Sequence, residues 1–379
     1  MNALIFNEVL QSDGRLRIAV RTGSVNLLGE SDLSGYDSGR YILVLFRTLR
    51  HHRGCTDMPD KKFTKIFFAT DLHGSGRCYE KLLSAAKFYK VDVLVLGGDL
   101  TGKMLVPIVD LEDGTFKADY LGGKTVRGGE EVKSLEREIT DSGYYYYHCG
   151  KGEMDELKAS KEKVDKLFMA TMKDTLVKWV DRAEPFLSEL GVTCYLTGGN
   201  DDYQEIVDAV RDTPHVKNSD NKVIKIDEVH EMVNLGWSNP TPWKCPRDHT
   251  EEDLEAATEK LVSSVADIEN CVFNVHVPPV NCGLDTCPKL DDSVFPPKPV
   301  FDKGQAVMIG AGSTSIRREV EKHQPLVHLC GHIHESRGTT RIGRTLVINP
   351  GSEYPEGILK GAIVNIGDKK VVSWQLTSG

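Results

Sequence analysis

From Lys65 onward the chain alternates apolar, β-rich runs bounded by Gly and Asp with stretches of helical period, the pattern of an α/β fold. Runs at 64–70, 91–97, 192–197, 222–226, 231–236, 271–277, 326–331, 339–342, 345–349, 360–366 and 369–376 predict strands. A long interruption separates the second from the third. Residues 103–150 are Gly-rich, charged and Tyr-rich, ending in Tyr144-Tyr145-Tyr146-Tyr147-His148. Residues 153–190 read as one long charged helix, with Leu157, Val164, Leu167, Phe168, Leu176, Val177 and Val180 at helical spacing. Together, 103–190 are expected to form an insertion or lid. After Val272 the runs are short and mostly β, broken by the Pro-rich stretch 278–299, long enough to suggest a functional loop.

Residues 1–57 differ in texture, with a Ser/Gly/Asp cluster from Ser31 to Gly39, the apolar run Tyr41–Phe46 and a basic, His-containing tail. They are expected to be an N-terminal extension of unknown role. Met58-Pro59-Asp60-Lys61-Lys62 leads straight into the run at Phe63, and the native start is expected at Met58, with one domain over 58–379.

Composition narrows the function classes. Hydrophobic residues at 40% and charged residues at 27% of 379 describe a folding globular chain. Lys+Arg 47 against Asp+Glu 56 leaves −9, so bulk coating of nucleic acid is not expected and any bound phosphate needs a local positive centre. Nine cysteines, an odd number without repeating spacing, suit a reducing compartment. Tyr41–Phe46 is far too short for a bilayer span, and no basic region followed by an apolar run marks secretion. A cytoplasmic protein without membrane attachment is expected.

Five segments place Asp, His or Asn directly after an apolar run and beside Gly: Asp71-Leu72-His73-Gly74, Gly97-Gly98-Asp99, Gly198-Gly199-Asn200-Asp201-Asp202, Val275-His276-Val277-Pro278 and Gly331-His332-Ile333-His334. The carboxyl ends of strands in an α/β sheet are where loops converge on ligands. Oxygen and imidazole donors without thiolate suit Mn, Fe, Zn or a similar divalent ion. Seven candidate ligands exceed one tetrahedral ion, whereas two ions sharing a carboxylate fit the number. Such a pair, about 3.5–4 Å apart, can clamp the attacking and leaving oxygens of a phosphoryl group.

The ordered set D-x-H, G-G-D, G-N, H and G-H-x-H, spread from Lys65 to Trp374, resembles the calcineurin-like metallophosphoesterase superfamily. The resemblance implies a four-layer α/β/β/α sandwich with an insertion after the second core strand and the site at one sheet edge. It implies that Asp71, His73 and His334 bind a first divalent metal, that Asn200, His276 and His332 bind a second, and that Asp99 bridges them. Two cations against two carboxylates keep the site near +2, a draw for phosphate inside an acidic protein. A bridging water, its pKa lowered from 15.7 towards about 7, would supply hydroxide to a small phosphodiester or phosphomonoester.

One departure bears on catalysis. The family usually reads G-N-H-[DE], its His serving the leaving group, and here Asp201 takes that place, followed by Asp202. A carboxylate with an ordinary pKa near 3.9 donates protons poorly at neutral pH, and general acid help is worth roughly 10²–10⁴-fold. Asp201, His148 or a metal-bound water are candidates for that role, and the change favours substrates with good leaving groups, diesters before monoesters. Lys103 and Arg337 are candidate phosphate contacts; ordinary solvated side chains are the bland alternative. Cys245, Cys282 and Cys287 read as free thiols rather than a zinc site. Trp237 and Trp243 suit a pocket rim or a packed loop equally. A metal-binding scaffold with little catalysis, like the retromer subunit of the superfamily, is the first alternative function. A nuclease, needing a basic groove and aromatic platforms, is the second. The sequence leaves the oligomeric state open.

Overall fold

The computed structural model describes residues 63–379 in full and, before them, the backbone of three strands, Ile5–Ser12, Arg15–Thr22 and Val25–Asp32. These three pair in sequence order as an antiparallel sheet. The chain divides into two compact units, Met1–Lys61 and Lys62–Gly379. The expected start at Met58, the boundary after residue 57 and the apolar run Tyr41–Phe46 lie outside the described residues.

The larger unit is a mixed α/β structure built on two six-stranded sheets. The first runs Val216–Asn218, Thr193–Leu196, Val93–Leu96, Thr64–Ala69, Lys360–Gly367 and Lys370–Ser378, its first four strands parallel and its last two antiparallel. The second runs Val223–Lys225, Glu231–Leu235, Val272–Val275, Val327–Leu329, Thr345–Asn349 and Gly338–Ile342, with four parallel strands between antiparallel edges. Parallel strands are covered on both faces and so read as unbroken apolar runs; Val93–Leu96 and Val272–Val275 are buried throughout.

The two-residue period of a strand sorts these side chains into separate clusters. Ile66, Phe68, Val93 and Val95 of the first sheet meet Met232, Val272, Val327, Leu329 and Ile348 of the second. Phe67, Leu94 and Leu96 point the other way, onto the helices Gly76–Tyr89 and Lys161–Leu190. Val233, Phe273, Val275 and Val347 pack with the helices Glu251–Val262 and Thr314–His323. Both of the latter helices begin at a hydroxyl cap, Thr250 or Ser313, that accepts from the third backbone N–H beyond it.

The interruption after the second strand holds more regular structure than its sequence suggests. Lys124–Arg127, Thr115–Ala118, Leu105–Asp110 and Tyr145–Gly150 form a four-stranded sheet, and the helix Glu130–Asp141 covers it around Val106, Ile108, Leu135 and Ile139. The tyrosine run is a strand, so its side chains alternate: Tyr145 is buried and its hydroxyl accepts from Gly102 N–H at 2.8 Å, while Tyr146 is exposed. In the helix Lys161–Leu190, expected as part of an insertion or lid, Leu176, Trp179, Val180 and Leu187 belong to the cluster under the first sheet. Charge on its exposed first half hides that assignment in sequence. The Pro-rich stretch continues to Gly310 as three short two-stranded ribbons. Among the described residues no helix is long and apolar enough to cross a membrane.

Phe68 is fully buried between the sheets. Phe68→Ala is expected to lower unfolding stability by about 3–5 kcal/mol, measured by chemical denaturation; a loss below about 1 kcal/mol would contradict the packing described.

Candidate metal centre

The five segments follow the carboxyl ends of parallel strands. Asp71 and His73 follow Thr64–Ala69, Asp99 follows Val93–Leu96, and Asn200 follows Thr193–Leu196. His276 follows Val272–Val275, while His332 and His334 follow Val327–Leu329. The turns are strained: Asp71, His73, Asp99 and His332 have φ of 55°, 42°, 48° and 67°, a region that costs a non-glycine residue of order 1–3 kcal/mol. Tertiary hydrogen bonds hold them there. Asp71 N–H donates to Gly98 O and His73 N–H to Asp99 O, both at 2.9 Å. Buried Asp202 accepts from Leu100 N–H, Thr101 N–H and Gly199 N–H at 2.9, 2.9 and 2.7 Å, joining two of the loops. Two glycines give the carboxylates room, since a Cβ on Gly199 would meet Asp99 Oδ1 at 2.0 Å and one on Gly331 would meet Asp71 Oδ2 at 2.3 Å.

Side-chain donors converge inside this frame. His73 Nε2 and His334 Nε2 face each other at 3.2 Å, His334 Nε2 lies 3.3 Å from Asp71 Oδ1, and His73 Nε2 lies 3.5 Å from Asp99 Oδ2. On the other side of Asp99, His276 Nε2 lies 3.4 Å from Oδ1. His332 Nδ1 is 3.0 Å from Asn200 Oδ1. Donors held about 2.0–2.2 Å from a common cation stand roughly 3.0–3.5 Å from one another, so these separations fit metal coordination. One orphaned atom supports the fit: His276 Nε2, the nitrogen that faces Asp99, is buried without a hydrogen-bond partner, its Nδ1 being engaged at 3.2 Å by Gly97 O. Asp71, His73, Asp99 and His334 could hold one ion; Asp99, Asn200, His276 and His332 offer donors for another.

Electrostatics prepare most of these groups. Burial pushes the Asp71 and Asp99 carboxyls up, but His334 beside Asp71 and His276 beside Asp99 outweigh it and hold both well below the usual range. Burial, reinforced by Lys103, lowers His73, and burial with His276 lowers His332 to about 4. These rings are neutral at pH 7, as ligands must be. Burial opposes the charge on His276, yet Asp99 raises it to about 9, so an arriving cation displaces a proton there.

The remaining candidates fall in two groups. Asp201 lies at the cluster: its N–H donates to Asp99 Oδ1 at 3.0 Å, and its Oδ2 is 3.0 Å from Lys103 Nζ and 3.8 Å from His73 Nδ1. Burial and Asp99 raise its pKa against the pull of Lys103. Arg337, just before the strand Gly338–Ile342, is exposed and donates to Thr377 O at 3.3 Å. His148, on the strand Tyr145–Gly150, pairs with Glu136 at 2.6 Å and packs beside Phe116 and Tyr146, all in the inserted sheet. Cys245, Cys282 and Cys287 are free. Trp237 stacks on His249 at 3.7 Å, while Trp243 is exposed.

The sequence reading missed the loop after Thr345–Asn349. Ser352 Oγ donates to Asp71 O at 2.7 Å and the Tyr354 ring lies 4.7 Å from that of His73. This strand is parallel to the one before His332 and ends at the same edge, a pairing that the sequence does not announce.

No family model matches the chain. It is 34% identical over 154 residues to the uncharacterized protein MJ1162 of Methanocaldococcus jannaschii, a stretch covering 40% of this chain and 61% of that relative's length. Among solved structures, it resembles a novel archaeal phosphodiesterase at 13% identity and TM-score 0.32, over 83% of this chain and 100% of that one. It also resembles YfcE, a phosphoesterase from E. coli, at 12% identity and TM-score 0.26, over 82% and 98%. These overlaps are loose, and the functional argument stands on the side chains.

His276, raised from 6.5 to about 9 by its carboxylate neighbours, stabilises the metal-free fold fully below about pH 6.5, and that contribution is lost as pH rises through about 9. Melting of chelator-treated protein is expected to fall across this window and His276→Asn to lack that component; identical pH profiles would contradict it.

Proposed function

We propose that the chain is a metal-dependent phosphoric ester hydrolase of the calcineurin-like metallophosphoesterase type, acting on a small phosphodiester or phosphomonoester. The observation that carries this reading is the splitting of one buried carboxylate between two imidazoles. Asp99 offers Oδ2 to His73 and Oδ1 to His276, at 3.5 and 3.4 Å, as a residue bridging two cations must. The three apolar clusters, one between the sheets and one under each outer helical layer, support a four-layer α/β/β/α sandwich. Asp71, His73 and His334 would complete one site; Asn200, His276 and His332 the other. Two ions of Mn, Fe, Zn or a similar metal held there would supply a hydroxide nucleophile and neutralise charge on the phosphoryl oxygens.

The chain's own residues prepare that reaction. Neutral His73 and His332 are ready to ligate, and Asp202 keeps the Asp99 and Asn200 loops in register. Lys103, held by Asp201 at 3.0 Å, brings a cation to the mouth of the cluster, where it suits a phosphate oxygen. The same pair supports the second reading, a metal-binding scaffold with little catalysis, because Asp201 stands where the family has its proton donor. Burial and Asp99 raise the Asp201 carboxyl while Lys103 opposes that rise, and a carboxyl is a poorer proton donor at neutral pH than the family's imidazole, which favours esters with capable leaving groups, diesters first. The charge of −9 argues against a nuclease.

Metal-stripped protein given Mn, Fe(II), Zn, Ni or Mg is expected to hydrolyse a chromogenic phosphodiester or its monoester, and Asp99→Asn to lower turnover at least about 100-fold. Metal-dependent turnover retained in that variant would refute the reading, and bound metal without turnover would leave the scaffold.

A further inference from the structure

We infer that the loop 237–249 is a positioning strap for the second ion, with Asp248 setting the orientation of Asn200 and Ser238 setting the ring of His332. The inference rests on the dinuclear reading above and extends it to residues outside the ligand set.

An asparagine ligates a cation through its amide oxygen, and its amide turns over easily unless a neighbour distinguishes oxygen from nitrogen. Asp248 makes that distinction. A carboxylate accepts hydrogen bonds and donates none, so the Asn200 group it faces at 2.9 Å is Nδ2, which leaves Oδ1 turned towards His332 Nδ1 at 3.0 Å. Asp248 is itself immobilised, for its second oxygen accepts from Thr241 N–H, Thr241 Oγ and Cys245 N–H at 2.9, 2.6 and 3.0 Å.

The same loop reaches the other donor. Ser238 Oγ lies 3.3 Å from His332 Nε2 and donates its own proton to Asn239 Oδ1 at 3.4 Å; accepting from the ring, it would hold the ring proton on Nε2 and leave Nδ1 bare for a cation. Ser238 and Asp248 are joined by a parallel β-bridge, with His249 N–H donating to Ser238 O at 2.8 Å. A closed circuit results: Asn200 to Asp248, across the bridge to Ser238, on to His332 and back to Asn200. Arg247 fastens it to the sheet, its N–H donating to Asn200 O at 3.0 Å and its buried guanidinium to Gly199 O at 3.2 Å and both Asp220 oxygens at 2.8 Å. His73 and His334 take no part, and Asp71 meets the circuit only at the His332 backbone N–H, 3.1 and 3.2 Å from its two oxygens, so the side chains that the strap orients serve one ion of the two.

Calorimetric titration of metal-stripped protein with Mn²⁺ tests this. The wild type is expected to bind two ions. Asp248→Ala should leave one affinity unchanged and weaken the other about 10–100-fold, the usual effect of removing a group that orients a ligand. Ser238→Ala should weaken the same ion, and isosteric Asp248→Asn, whose one amide oxygen is drawn to the three donors from Thr241 and Cys245 and so turns an N–H towards Asn200, should weaken it at least as much as Asp248→Ala. Asp248→Asn also serves where the alanine variant does not fold. Two sites of unchanged affinity in both Asp248→Asn and Ser238→Ala would overturn the strap while leaving the dinuclear reading intact. A wild type that binds fewer than two ions would overturn both.

Discussion

Two carboxylates, Asp71 and Asp99, are almost fully buried side by side at one edge of the paired sheets. Burying one unpaired charge costs several kcal/mol, and burying two of the same sign costs more. The rest of the structure is arranged around this constraint. Imidazoles from the two sheets surround the pair, His73 from the first and His276, His332 and His334 from the second, and the neighbouring carboxylates favour a proton on His276. A divalent cation meets the same demand with more charge and fixed direction. The donors that compensate the carboxylates are therefore the ones that would ligate.

Rigidity at this edge comes from beneath and from beside it. Between the sheets, Asn274 Nδ2 donates to Thr197 Oγ and to Asn234 Oδ1 at 3.0 and 2.9 Å, and Thr197 Oγ also reaches Ser219 Oγ at 3.0 Å. These buried hydrogen bonds between side chains of the two sheets favour one relative position of the sheets, although Asn274 Oδ1 has no partner. Asp202 then ties adjacent loops of the first sheet, and the strap from Trp237 to His249 ties Asn200 of the first sheet to His332 of the second. The strained φ values of Asp71, His73, Asp99 and His332 persist because so many independent bonds determine them.

Much of this edge was legible before any coordinates, and the reason is local. Each ligand candidate lies within a few residues of a buried strand, so an apolar run followed by Gly, Asp or His marks both the strand and its functional end. The predicted strands of the two sheets agree with the structure to within two residues at each end, and the short edge strand Val216–Asn218 was not predicted. What escaped depends on distant neighbours. The strands of the inserted sheet alternate weakly, and Tyr144–Tyr147 shows no period because one apolar-looking residue type fills both faces. Charge along the first half of Lys161–Leu190 concealed that its second half belongs to the core. Arg337 and His148 look eligible by proximity or type, yet Arg337, just before the strand Gly338–Ile342, reaches Thr377, and His148, on Tyr145–Gly150, pairs with Glu136. Asp248, Ser238 and Tyr354 act through hydrogen bonds or ring contacts between remote segments, which no spacing rule encodes.

The central claim is that Asp99 stands between two cations. Crystals grown from metal-stripped protein and soaked in Mn²⁺ would test it most directly, through the anomalous difference map. Two peaks about 3.5–4 Å apart are expected, one against His73 and His334, the other against His276, His332 and Asn200, with Asp99 touching both. A single peak, or a pair with Asp99 bound to only one of them, would contradict the account.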